Sequence, residues 1–389
     1  MTRYDFCGSL DDNGLSVVAN GTKFGIYDFF DSKEIVPPTY DEIHILDKNL
    51  FAVRIGKNWG VINRDCKIVV SVRFKNVLNF YDDYLFIKEF DDTVFLMCKS
   101  TGKTSKCYSN IGGFKDGFSI VAKDLVFGVI DNNLKEVIPT KQSEIHRCKD
   151  DTFFTTNHSN ICLINSSNNT VQKLPYTLVR PLACNKCPYF IVKKDNLYGL
   201  IDTSLNVVVP VKYDFITYLF DDYVSVMSVQ EETSYIGVYR IGKGEIISTK
   251  YQRIKAIGLN LFSVENFDSK LALFNCEGKQ ITNFVYDGLG RIGLFVGVEV
   301  ENPNEDYEYL VGLLDTNGKQ LLEPIYDNIE SKASGYVVYK DGKYGICDNQ
   351  GKLVSKIVFD KVFTINMYNK SGRKFAEVVY NGEGGNFFW

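Results

Sequence analysis

Asp28, Asp131, Asp202, Asp315 and Asp348 stand at equivalent places along this chain, and Asp11-Asp12, Asp82-Asp83 and Asp221-Asp222 are doublets. Carboxylates at such density could hold a divalent cation or move protons as general acids and bases. None fits the twelve-residue calcium loop, which needs alternating oxygen ligands, a central Gly and a terminal Glu. Each recurring Asp instead closes a short apolar run, where its side chain can accept the backbone N–H two residues on and form an Asx-turn. Turn capping is therefore expected of them in preference to ligand binding.

Cys184-Asn-Lys-Cys187 is a lone C-x-x-C, with His146, Cys148, His158 and Cys162 upstream. Zinc ligation is well signalled by two such pairs at fixed spacing, and a redox pair wants a helix N-terminus to depress its thiol pKa. Neither is evident, so the motif reads as incidental, with zinc the alternative. The three histidines, His44, His146 and His158, neighbour no nucleophile motif. No G-x-S-x-G, P-loop or dinucleotide fingerprint is present. Acid pairs for glycoside hydrolysis need only spatial proximity, and nothing in the sequence gives a positive reason for them. The sequence thus assigns no catalytic, cofactor-binding or metal residue, and no cofactor.

The composition bounds the classes of function. Of 389 residues, 45% are hydrophobic and 24% charged, with 44 Lys plus Arg against 48 Asp plus Glu. That hydrophobicity excludes a disordered chain. The net charge of -4 counts against a nucleic-acid partner, whose binding surface is normally basic. No run of 18 apolar residues exists, so no membrane insertion is expected. The N-terminus shows no apolar signal core. Ten cysteines in a chain this long are not a disulfide scaffold, and several lie in apolar runs such as Ile161-Cys162-Leu163. A cytoplasmic location is the expectation.

What must position these residues is a repeat. Tyr198-Gly-Leu-Ile-Asp202 recurs as Phe24-Gly-Ile-Tyr-Asp28, Trp59-Gly-Val-Ile-Asn63, Phe127-Gly-Val-Ile-Asp131, Val311-Gly-Leu-Leu-Asp315 and Tyr344-Gly-Ile-Cys-Asp348. Degenerate copies are Val94–Cys98, Ile161–Asn165, Ile236–Arg240 and Leu271–Asn275. The second position of each copy falls at 25, 60, 95, 128, 162, 199, 237, 272, 312 and 345. Ten copies at so narrow a period fill the chain as a single array over residues 1–389. Each copy holds three β-branched, aromatic runs bounded by Gly, Asn and Asp, the longest being the third, as in Val207–Ile216. The expected fold class is all-β, with tandem three-stranded antiparallel meanders. The strand-interior Gly is costly unless another backbone approaches it, which predicts close packing between neighbouring repeats.

The pattern resembles the WG repeat family, also called KWG repeats. Lys57-Asn-Trp-Gly-Val-Ile-Asn63 carries the signature dipeptide. Leu197–Asp202 through Val209-Pro-Val-Lys-Tyr-Asp-Phe-Ile216 matches nearly the full repeat, as does Val311–Lys319 through Glu323-Pro-Ile-Tyr-Asp-Asn-Ile329. Val36-Pro-Pro-Thr-Tyr-Asp-Glu-Ile43 adds a further copy. The sequence departs in having one true Trp-Gly and in losing the Gly from its third, fifth and eighth copies. The resemblance implies a mainly bacterial β-repeat scaffold with no general enzymatic activity and no catalytic residues.

The ends carry partial copies. Tyr4-Asp5-Phe6 matches Tyr213-Asp214-Phe215, Phe375–Tyr380 matches a first strand, and Asn386–Trp389 matches a second. The expectation is ten whole repeats plus one split between the termini, as a propeller-like ring or an open β-solenoid. Two inserts, Glu299–Tyr309 and Thr364–Arg373, lengthen connections and are read as surface loops, with a binding face the alternative. The function expected is a non-enzymatic interaction scaffold for a protein partner. Alternatives are a glycan or other cell-surface ligand, a structural subunit of an envelope or virion assembly, and a propeller-type hydrolase or lyase.

Overall fold

In the computed structural model, the structure describes residues 4–81, 83–158, 160–167, 169–183, 188–303, 309–367 and 373–389. Among these every regular element is a strand, and no helix is long and apolar enough to cross a membrane. The chain falls into two compact units, Met1–Thr177 and Leu178–Trp389. The first holds sheets 1 to 5, over residues 6–40, 42–74, 76–98, 110–142 and 144–173. The second holds sheets 6 to 11, over residues 178–213, 215–251, 253–275, 288–326, 328–347 and 361–388.

Every sheet is an antiparallel meander whose strands pair in chain order. Seven sheets have four strands rather than the expected three. The difference lies in the long third run. Val207–Tyr213 closes sheet 6, and Phe215–Phe220 opens sheet 7. The run breaks at Asp214, whose N–H bonds Met227 O at 2.8 Å and whose carboxylate accepts the Val229 N–H at 2.8 Å. A side chain that satisfies one backbone turn while its own amide joins the next sheet forces the chain round a corner there. Asp5, Asp41, Asp287, Asp327 and Asp360 repeat the arrangement, accepting the amides of Gly21, Gly56, Glu301, Asp341 and Gly382. Tyr4-Asp5-Phe6 is therefore a corner of this kind, and Phe6–Cys7 is the first strand of sheet 1. Phe375–Tyr380 lies within Lys374–Tyr380, the middle strand of sheet 11, and pairs with Glu383–Phe388.

Apolar side chains of consecutive sheets form the core. Leu15, Ile26 and Val36 of sheet 1 meet Ile43, Phe51 and Val53 of sheet 2. In the second unit Leu200, Val209 and Tyr213 meet Ile216, Val224 and Val226. One sheet cannot cover both its faces, so stacking supplies about 1.5–3 kcal/mol for each such side chain removed from water.

The strand-interior glycines have a different partner from the one expected. A Cβ on Gly199 would lie 2.7 Å from Val209 O, and one on Gly25 would run into Val36 O. Both obstacles belong to the last strand of the same sheet, not to a neighbouring repeat. That strand carries a bulge: Tyr198 pairs with Tyr213, but Leu200 pairs with Val209 and Ile201 with Val207. The same shift occurs opposite Gly25, Gly60, Gly128, Gly237 and Gly312. Sheet 5 is the natural control. Cys162 replaces the Gly there, and its ladder to Thr170–Lys173 runs without a bulge. The extra backbone of the bulge needs the space a side chain would fill.

Candidate functional site

The recurring acids are capping groups. Asp202 Oδ1 accepts the N–H of Ser204 at 2.8 Å and of Asn206 at 2.9 Å. Asp131, Asp315 and Asp348 each accept the amides two and four residues on. Asp28 accepts those of Phe30 and Asp31 at 2.9 Å, and its carboxyl is held below its ordinary pKa by that Asp31 amide first and then by Arg64, against burial. A carboxylate whose lone pairs already face two amides is a poor start for a cation cage. Asp11 caps Asn13 and Leu15, while Asp222 pairs with Arg240 at 2.9 Å. Asp82 lies outside the described residues.

A second set of acids joins one repeat to the next. Lys23, two residues before Gly25, reaches Asp41 at the corner into sheet 2, at 2.6 Å. Lys270 reaches Asp287 at 2.5 Å, and Lys343 pairs with Asp360 in the same way. Lys23 lowers the Asp41 pKa, aided by the Gly56 amide, and Lys343 lowers that of Asp360. The aromatic just before the corner can reach further. Tyr213 donates to Glu245 Oε2 at 3.1 Å and Tyr4 to Glu34 Oε2 at 2.6 Å. Tyr108, at the matching place, is 2% exposed, and among the described residues its hydroxyl has no hydrogen-bond partner. Burial raises its pKa to about 12, with the Glu136 carboxylate adding to the effect.

The remaining candidates are scattered. His44 stacks on Trp59 with ring centroids 5.2 Å apart and bonds Glu42 at 2.9 Å. His146 faces Glu144, and burial pulls its pKa down against that carboxylate. His158 bonds the neighbouring Asn157 at a hairpin turn. Among the described residues no group of three His, Cys, Asp or Glu side chains is placed to hold a metal. Cys184 and Cys187 lie outside the described residues, as do the central parts of both inserts, 304–308 and 368–372. Most Tyr and Phe rings pack in the core or against each other, as in the stacked pair Phe220 and Tyr223.

One concavity escaped sequence reasoning. A cavity of about 530 Å³ opens between the turns of sheets 4 and 5, lined by Asp116, Asp131, Lys135, Glu136, Ser166 and Asn169, among others. Its wall is pinned from one side by Arg147, which donates to Phe118 O at 2.9 Å and Asp150 O at 2.6 Å and lies over the Phe153 ring. Burial works to raise Glu136, but Lys106 and then the Thr140 amide and hydroxyl keep its pKa below the ordinary value. Its polar groups come from three different turns, so no single sequence window displays them.

The family model described as WG containing repeat matches residues 31–59, 59–91, 198–227, 312–343 and 344–382. The chain carries WG repeats. The matched segments hold Gly60, Gly199 and Gly312, which face bulges, and the corner acids Asp41, Asp214, Asp327 and Asp360. No curated protein matches the chain. Among solved structures, a computationally designed protein, Ika8, is 13% identical over 80% of this chain and 95% of its own, with a TM-score of 0.24. A eukaryotic initiation factor is 9% identical over 80% of this chain and 95% of its own, at 0.31. Hsv2p of Kluyveromyces lactis is 10% identical over 69% of this chain and 97% of its own, at 0.26.

Proposed function

We propose that this WG-repeat chain is a non-enzymatic interaction scaffold and that its partner is a protein. The observation that carries the reading is the use made of the recurrent carboxylates. Asp131, Asp202, Asp315 and Asp348 direct their oxygens at backbone amides, and Asp41, Asp287 and Asp360 meet lysines. The residues that could do chemistry at regular spacing therefore serve the architecture. Repeat arrays of the solenoid or propeller kind present wide surfaces made of hairpin ends, which suit a protein partner. Large apolar side chains stand at such ends, with Phe30 72%, Leu125 90% and Leu294 63% exposed.

Quantitative cross-linking of the tagged chain in extract of its own organism tests the reading. A protein retained by the wild type and lost on Phe30→Ser or Leu294→Ser supports it. Turnover of a hydrolase or lyase substrate panel, or saturable binding on a glycan array with no protein retained, overturns it.

A further inference from the structure

The outer edge of sheet 11 carries no further strand among the described residues. In sheets 1, 2, 4, 5, 6, 7 and 9 a fourth strand pairs with the third. In sheets 3, 8 and 10 the following segment takes that place through isolated bridges, such as Tyr344 with Phe359 and Leu271 with Tyr286. Sheet 11 runs Lys361–Met367, Lys374–Tyr380 and Glu383–Phe388, and among the described residues no backbone pairs with the far side of Glu383–Phe388.

The register shows what that side offers. Val378 pairs with Gly385 as Val192 pairs with Gly199 and Val338 with Gly345. Gly385 is thus the bulge-accepting glycine of this sheet. A Cβ on Gly199 would meet the bulge at under 3 Å, whereas one on Gly385 or Gly384 would meet nothing within 4 Å. Tyr380 and Glu383 flank the two-residue turn, and Lys374 and Trp389 exchange both backbone hydrogen bonds at the far end. Antiparallel alternation then turns the N–H and C=O of Gly384, Asn386 and Phe388 outward. Their counterparts in sheet 10 are occupied: Tyr344 N–H bonds Phe359 O at 2.9 Å, and Ile346 O accepts from Val354 at 2.9 Å. An unpaired edge with a vacant bulge seat is a template for strand addition.

We propose that this edge binds an extended segment of a partner protein that resembles a fourth strand of the array: β-branched residues, a Pro at the bulge, and an aromatic at the end, as in Val207-Val-Val-Pro-Val-Lys-Tyr213. Charge refines the choice. Lys23, Lys270 and Lys343 face an Asp at the corner that follows the fourth strand. Glu383 occupies that lysine position in sheet 11, by its pairing with Tyr380 as Lys343 pairs with Lys340. The residue after the aromatic of the incoming strand is therefore basic. The proposal names the partner surface that the scaffold reading leaves open and does not depend on which protein carries it.

The test uses the full chain and two synthetic peptides, Leu-Asn-Val-Val-Val-Pro-Val-Lys-Tyr-Lys-Phe and the same sequence with Asp in place of the tenth residue. Saturable binding is expected, several-fold tighter for the Lys peptide, with slowed amide exchange at Gly384, Asn386 and Phe388. Gly385→Val is expected to keep the melting temperature, since its side chain enters open space, and to weaken binding at least tenfold. Glu383→Lys is expected to reverse the peptide preference. Absence of binding, equal binding by Gly385→Val, or protection elsewhere on the chain overturns the proposal. Those outcomes leave the scaffold reading intact, because partner retention through the hairpin ends is measured separately.

Discussion

Lys23 Nζ and Asp41 Oδ1 lie 2.6 Å apart, joining the third strand of sheet 1 to the corner that opens sheet 2. The pair ties a residue two before the strand glycine to the acid that turns the chain. With its counterparts Lys270–Asp287 and Lys343–Asp360, it makes stability depend on carboxylates whose folded pKa values lie below the ordinary 3.8. Asp92, held by Lys75 and then Lys88, is lowered to about 2. A depressed acid contributes stability that is present above its unfolded pKa and lost as pH falls through its folded one. Unfolding midpoints are expected to be flat above about pH 5 and to fall between about pH 4 and 2. Lys23→Met combined with Lys343→Met should flatten that acid limb. Denaturant titrations at stepped pH check it, and an unchanged limb would refute the assignment.

Asp214 should matter more than its exposure suggests. Its carboxylate is the acceptor for the Val229 amide at the corner between sheets 6 and 7. Asp214→Ala is expected to cost about 1.5–3 kcal/mol, the range for a hydrogen bond to a charged group, and Asp214→Asn clearly less. Urea unfolding measures both, and equal losses would mean that the acceptor is not what counts.

Gly199 and Gly385 form a matched pair. Gly199→Ala places a Cβ against Val209 O and the Val211 side chain, at a cost of about 1–3 kcal/mol for overpacking. Gly385→Ala enters open space and is expected to be neutral within about 0.5 kcal/mol. Comparable destabilisation at the two sites would disprove the account of the bulge.

Tyr213 and Tyr108 should also separate. Tyr213→Phe removes the bond to Glu245 and is expected to cost about 1 kcal/mol. Tyr108→Phe removes a buried hydroxyl that has no partner among the described residues and should be neutral or stabilising. A loss at Tyr108 equal to that at Tyr213 would show that its hydroxyl is satisfied.

Asp202 distinguishes capping from metal binding. Asp202→Asn keeps an oxygen for the Ser204 and Asn206 amides, so its melting temperature should stay within a few degrees of wild type. Neither calcium nor EDTA should shift the wild-type midpoint. A calcium-dependent rise lost in Asp202→Asn would restore the ligand reading.

The strands and turns were legible because they are local. The β-branched runs, the Asx-turns at Asp202 and Asp315, and the period set by Gly25, Gly60 and Gly199 can all be read along the sequence. The split of Val207–Ile216 between two sheets was not, because Asp214 acts through an amide fifteen residues away. The cavity beside Glu136 and Ser166 was hidden for the same reason, its lining being drawn from turns far apart in the chain.

By itself the sequence determined an all-β chain bearing WG repeats, with its capping acids and its strand glycines, since turn chemistry and alternation act over a few residues. The tertiary structure alone decided where each repeat divides, which backbone fills the space over each glycine, and that the space over Gly385 stands open. Those outcomes depend on which strands come to lie side by side, and cross-strand register and sheet packing are not encoded in any one segment.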